Sequence, residues 1–241
     1  MNERDAVAAY DVCLSREDTA GARACLTDAL SRAENDRARL TLYNELMGFE
    51  RQYGSVENSV AAAEAALALL RTLKLTDSKP AAFVWLNAAT VYKNAGMPAD
   101  ASSAFDRADA CFTAYYPPGA KEFAGLYNNR AALDLDLGDD RRAEYWYGRA
   151  AALLRRWGDR CDLAVTLLNL ASLENRCDPL SGRAAPYADE GLALLEQAPE
   201  SERDPYYYYT CRKCAGAAEE LGLFAAAWAL RERADAFYAR A

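Results

Sequence analysis

Four glycines keep a common phase along the chain. Gly54, Gly96 and Gly138 are separated by 42 residues each, and Gly222 follows after 84, so one member of the series is missing near Leu180. Aromatic residues eleven positions earlier hold the same register at Tyr43, Trp85 and Tyr127, and Cys211 takes that place in the last unit. A fixed period of this length is the signature of stacked supersecondary units, each too small to bury its own apolar face.

Each unit has the pattern of two helices. In the segment from Ala82 to Phe112, Trp85, Ala88, Ala89 and Tyr92 fall at i, i+3, i+4 and i+7, one face of a helix. Gly96 ends that helix and Pro98 suits the first turn of the next. Ala101, Phe105 and Ala108 then repeat the helical spacing, and the small residues allow close helix approach. The order Trp85, Ala88, Ala89, Tyr92, Gly96, Ala101, Phe105, Ala108 resembles the tetratricopeptide repeat. The next unit follows it with Tyr127, Ala131, Gly138, Ala143, Tyr147 and Ala150, departing at Arg130 and Asp134, where apolar residues are usual. Related units run from Tyr43 through Leu46, Met47, Glu50 and Gly54, from Leu167 through Leu170 and Ala171 with a longer turn containing Pro179, and from Cys211 through Gly222 to Ala234.

The resemblance implies an all-α, right-handed α-solenoid of about six helix hairpins, about 12 helices, in a single array over residues 1–241. Residues 1–36 form a degenerate first repeat, 37–79, 80–120, 121–160 and 161–204 the central ones, and 205–241 a C-terminal cap. First helices are predicted near 4–14, 37–52, 80–94, 121–137, 161–175 and 206–220, and second helices near 18–34, 56–74, 98–115, 140–156, 183–196 and 224–240. The 42-residue step is longer than the standard repeat and looks like the variety found in kinesin light chains and many bacterial repeat proteins.

Composition narrows the function. With 28 basic and 36 acidic residues the formal net charge is −8, and no basic run is present, which argues against nucleic acid and anionic membranes as partners. No apolar run approaches a membrane span, and the N-terminal residues lack the core of a signal peptide, so a cytoplasmic location is expected. The seven cysteines, an odd number, are scattered, and reduced thiols are expected. There is no histidine, which removes Ser-His and Cys-His catalysis and His-ligated zinc. No phosphate-binding glycine loop or nucleophile elbow is present. The chain is expected to be non-enzymatic, without cofactor or metal.

Three motifs invite chemistry. Cys211 and Cys214 form a CxxC, a pattern of zinc or redox sites, but the register puts both on packing positions equivalent to Trp85 and Ala88. Asp134, Asp136, Asp139 and Asp140 lack the ligand series of a calcium loop, and Asp139 or Asp140 more simply caps the following helix. Tyr206 to Tyr209 point around most of a helix circumference, so some must pack and at least one is exposed, as a neighbour contact or as a partner anchor.

The remaining series is asparagine. Asn44 and Asn128 follow the aromatic of their units directly; Asn87, Asn129 and Asn169 sit one place further. In tetratricopeptide proteins the first helices line a concave face, and Asn at these places can contact bound peptide, its amide bridging backbone N–H and C=O groups. The other reading is that these amides fix repeat geometry. Arg51, Lys93, Asn94 and Arg176 lie further along the same helices and would suit an acidic peptide or a free carboxylate. The carboxylate clamp of chaperone-binding relatives is not reproduced, because Asn44, Leu86, Asn128 and Leu168 occupy its Lys place. The expected function is therefore a protein- or peptide-binding scaffold that takes an unidentified protein or extended peptide in its groove. The alternatives are a self-assembling structural protein, a homodimer joined through the C-terminal Tyr and Trp228 region, and a peptide-sensing regulator acting through a partner, since the repeat plan leaves no room for a helix-turn-helix.

Overall fold

The computed structural model describes residues 3–239, which contain twelve α-helices and no strand. They divide into two compact units that meet in sequence between Pro118 and Gly119. The first unit holds three antiparallel pairs: α1 (Glu3–Ser15) with α2 (Thr19–Arg32), α3 (Asp36–Tyr53) with α4 (Val56–Thr72), and α5 (Lys79–Asn94) with α6 (Pro98–Tyr115). The second holds α7 (Glu122–Asp136) with α8 (Asp140–Trp157), α9 (Arg160–Cys177) with α10 (Ala184–Glu196), and α11 (Pro205–Glu220) with α12 (Phe224–Tyr238); a 3₁₀ turn at Glu200–Glu202 precedes α11. Within the first unit α3 packs on α1 and α5, and within the second α9 packs on α8 and α11, so each unit is a stack of hairpins. The predicted end of the last helix at position 240 lies outside the described residues.

Local chemistry fixes the helix ends. Asp18, Asn35, Ser55, Asp139, Asp159 and Asp204 each accept a hydrogen bond from a backbone N–H three residues on, satisfying one of the orphan donors of the first turn. The cap of α8 is thus Asp139. At the C-terminal ends of α5, α7 and α11 the chain enters the left-handed region at Gly96, Gly138 and Gly222 (φ 70°, 77° and 76°). The next N–H returns to a carbonyl five residues back, as in Met97 to Tyr92, Asp139 to Asp134 and Leu223 to Ala218. Gly54 keeps the phase for another reason. Its φ is −107°, and a Cβ there would lie 1.8 Å from the Glu50 carboxylate, which folds over it. The missing member of the series is a longer link from Asp178 to Arg183, which contains Pro179 and turns at Gly182 (φ 72°).

The core follows the register. Ala88, Ala89, Ala101, Phe105 and Ala108 are fully buried in the first unit, and Ala131, Ala143 and Ala150 in the second. The α4–α5 link is held by side chains from the adjoining pair: Trp85 Nε1 donates to the Thr76 carbonyl at 3.0 Å and the Tyr115 hydroxyl to that of Asp77 at 2.5 Å. Trp157 Nε1 likewise donates to the Gly119 carbonyl at 2.9 Å.

Candidate functional site

The asparagines do not stand as separate hooks. In the first unit Asn87 Nδ2 on α5 donates to Asn44 Oδ1 on α3 at 3.0 Å, and Asn44 Nδ2 faces Glu45 Oε1 at 3.4 Å. The one-place offset of the two asparagines from their aromatic anchors lets them meet across adjacent first helices. Both amides are half-buried. Asn44, Gly48 and Arg51 lie at i, i+4 and i+7 on α3, and Asn87 and Asn94 lie two turns apart on α5, so two polar stripes run side by side. Gly48 leaves open space between Asn44 and Arg51: a Cβ built there meets nothing within 4 Å. Arg51 and Asn94 are exposed and Lys93 is half-buried. Charge is graded along α3. Burial pushes the Glu45 carboxyl above the usual range, with Asp11 adding to the rise and the Asn44 amide opposing it, while Arg51 sits nearly two turns away.

In the second unit the amides are drawn into the scaffold. Asn128 Nδ2 donates to Thr166 Oγ1 at 2.8 Å, and Asn128 Oδ1 lies within accepting distance of the same hydroxyl at 3.1 Å, joining α7 to α9; Thr166 is fully buried. Asn129 Nδ2 donates to the Gly125 carbonyl of its own helix at 2.8 Å. Asn169 is half-buried on α9. Arg176 forms an ion pair with Asp140 at the start of α8. The sequence-predicted residues therefore come together in α3 and α5, whereas Asn128, Asn129 and Arg176 have partners within their own unit.

The other motifs resolve by burial. Cys211 and Cys214 lie in the core of the second unit with Ala164, Leu168, Ala171 and Tyr207, and burial pushes the Cys214 thiol up to about 12. All seven cysteines are free thiols, and no group of three or more potential metal ligands occurs among the described residues. In the tyrosine run, Tyr207 is buried, its hydroxyl donating to the Leu195 carbonyl at 2.8 Å and accepting from Arg233 at 2.9 Å. Tyr208 stacks on Phe237 at 4.1 Å. Tyr206 is half exposed and its hydroxyl donates to Asp162. Phe224 and Trp228 stand exposed on α12.

A feature the sequence hinted at only through Asp134 is a buried carboxylate seven residues after the first-helix anchor. Glu50, Asp134 and Glu174 occupy this place, where the unit built on Trp85 has Tyr92, and each is at most 4% exposed. Each is met by an arginine: Arg23 Nε at 2.6 Å, Arg142 Nη2 at 3.5 Å and Arg183 Nη2 at 2.9 Å. Asp134 is the least well served. Its Oδ2 and the Trp146 indole N–H are both buried without a hydrogen bond of standard geometry, although the indole lies close enough to oppose the upward shift of the carboxyl. Burial dominates and raises the Asp134 pKa, Arg142 pulling the other way. A raised carboxyl pKa contributes stability only while the group is protonated, and that contribution is lost as pH rises through the folded pKa. Asp134→Asn is therefore expected to stabilise the second unit near neutral pH, by about 1 kcal/mol. The gain should vanish below about pH 4, where the wild-type carboxyl is protonated in both states. Thermal melts at the two pH values check the sign.

The arrangement places the chain among helix-hairpin repeat proteins of the α-solenoid class. The repeat is of tetratricopeptide-like type: the chain is similar in structure to BtubC (BKLC) from P. vanneervenii, with 18% identity, a TM-score of 0.56 and coverage of 99% of this chain and 90% of that one. It is also similar to nearly identical TPR-like repeats of a kinesin light chain from Podosopora anserina, with 16% identity, a TM-score of 0.53 and coverage of 86% and 98%. No protein-family model and no curated protein matches the sequence. No described helix is long and apolar enough to cross a membrane.

Proposed function

We propose that the chain is a protein-interaction scaffold that takes an extended peptide along the first helices α3 and α5. The Asn44–Asn87 pair carries this reading. The hydrogen bond between the amides uses one donor and one acceptor, and Asn87 retains its Oδ1 and a second N–H. These groups match the alternating N–H and C=O of an extended backbone whatever its side chains. Gly48 gives that backbone a floor beside them, and Arg51, with Lys93 and Asn94 on α5, lies at the basic end of the stripe.

Short random peptides selected on the immobilised protein provide the probe. Asn44→Ala combined with Asn87→Ala is expected to weaken a selected peptide about 10-fold, as loss of one or two partly desolvated hydrogen bonds would. Because that pair also joins two helices, Gly48→Leu supplies an independent arm. It replaces a helical glycine with a better helix former and fills the open floor, so it should keep the helical circular-dichroism signal and still block binding. Selected peptides that bind all three proteins equally would overturn the assignment to these helices.

A further inference from the structure

One exposed stripe of α8 carries three arginines. Arg141, Tyr145, Arg149, Ala152 and Arg156 fall within an arc of about 80° at 100° per residue, and all five are exposed. No acidic residue lies in that arc. The corresponding positions after Gly54, in α4, are Glu57, Ala61, Ala65 and Thr72, and those after Gly96, in α6, are Ala99, Ser103, Arg107 and Ala114. Arginine recurs at the Arg149 place, as Arg107 in α6 and Arg233 in α12, but the Arg141 and Arg156 places hold Glu57 and Thr72 in α4 and Ala99 and Ala114 in α6.

The flanking arginines are already committed. Arg142 reaches Asp134 and Asp139, and Arg155 forms a two-pronged pair with Glu190 at 2.9 and 2.6 Å. Arg141, Arg149 and Arg156 have no carboxylate within ion-pair distance among the described residues. Arg149 is nevertheless held in place. Its guanidinium lies 4.6 Å from the Tyr127 ring centroid and 5.8 Å from those of Tyr145 and Trp146, and it donates to the Tyr145 hydroxyl at 3.2 Å. Tyr127 and Trp146 are themselves stacked at 5.2 Å, so the platform is rigid. A guanidinium fixed on rings loses less freedom on meeting a carboxylate than one on a mobile side chain.

We propose that this stripe of α8 docks a short, extended acidic segment of a partner protein. Arg141 and Arg156 are about 22 Å apart along the helix, at 1.5 Å per residue. About seven residues of extended chain cover that length. Arg149 lies between them, so carboxylates from one such segment can meet all three arginines while its stems pack on Tyr145 and Ala152. Charge complementarity selects the occupant: three arginines stand in a chain of net charge −8. A long polyanion such as a nucleic acid, or an anionic bilayer, would meet the acidic remainder of the molecule, whereas a segment of stripe length meets only the stripe. The surface belongs to the second-helix side of the second unit, and the Asn44–Asn87 stripe belongs to the first.

Fluorescein-labelled heptaglutamate tests the proposal by anisotropy at low ionic strength. The full chain is expected to bind it, with affinity falling as salt is added. Arg141→Gln, Arg149→Gln and Arg156→Gln together should weaken binding about 10-fold or more. The helical signal should not change, and the melting temperature should fall by only a few degrees, through loss of the Arg149 ring contacts. Asn44→Ala with Asn87→Ala should leave heptaglutamate binding intact, which separates this surface from the peptide stripe. Equal affinity in the triple variant, absence of heptaglutamate binding by the folded wild-type chain, or tighter binding of oligothymidylate or of phosphatidylserine vesicles would overturn the proposal.

Discussion

Replacing Phe112 by Ala is expected to destabilise the first unit by about 3–5 kcal/mol, the usual cost of emptying a buried aromatic site. Phe112 is fully buried on α6. Its ring meets Phe83 of α5 edge-on at 5.2 Å and Tyr116 at 5.2 Å, and Phe83 in turn meets Tyr116 at 6.1 Å. The triplet closes the open end of the α5–α6 pair, next to the α4–α5 link that Trp85 and Tyr115 secure. Truncation therefore removes both the area buried by the ring and two oriented aromatic contacts. In a stack of hairpins each pair contacts only its neighbours, so the loss should be local. Amide exchange is the measurement: protection should fall first in α5 and α6 and persist in α1 and α2. Phe112→Leu, which keeps most of the volume, should cost less than about 1.5 kcal/mol. A uniform loss of protection through the first unit would show that its three pairs unfold together.

The helices were legible because their signals are local. Gly96, Gly138 and Gly222 mark ends at which the backbone must turn left-handed, and the i, i+3, i+4, i+7 apolar spacing marks the buried face between them. The predicted 80–94 and 98–115 correspond to Lys79–Asn94 and Pro98–Tyr115. The core placement of Cys211 and Cys214 was legible for the same reason, since register decides it, whereas the cap of α8 was legible only as Asp139 or Asp140, and the structure gives Asp139. Partnerships were less so. Asn87 reaches Asn44 across 43 residues, and Asn128 reaches Thr166 across 38. Whether an amide faces solvent or its neighbour depends on how one helix is rotated against the next, a rotation of only a few tens of degrees that sequence period does not resolve. Arg176 shows the same limit: its position on α9 suggested a groove cation, and its reach to Asp140 depends on the packing of α8 against α9. In sequence, Arg141 and Arg155-Arg156 look like ordinary solvated charges; the ring platform under Arg149 is what marks the stripe on α8.

Arg23→Ala should destabilise the first unit by about 2 kcal/mol near neutral pH. Glu50 is 2% exposed, with its carboxyl group inside the unit. Its Oε1 accepts from Arg23 Nε at 2.6 Å and its Oε2 from Asn58 Nδ2 at 3.3 Å. Removing one partner of a fully buried pair costs about 3–5 kcal/mol, because the other charge is left uncompensated. The Arg23 side chain is 51% exposed, so water screens part of the interaction and the lower figure is expected. The carboxylate has little room to escape: it lies against Gly54, where even a Cβ would collide with it. Two second changes separate the charge from the packing. Glu50→Gln in the Arg23→Ala background removes the buried charge and should recover about half of the loss, since the amide still lacks a partner on one side. Arg23→Lys restores a charge without the guanidinium geometry and should recover less than wild-type stability. If Arg23→Ala melts with the wild type, the pair is a surface contact of no energetic weight. The acid seven residues after the anchor would then be tolerated by water reaching Glu50 rather than by an arginine from the preceding hairpin.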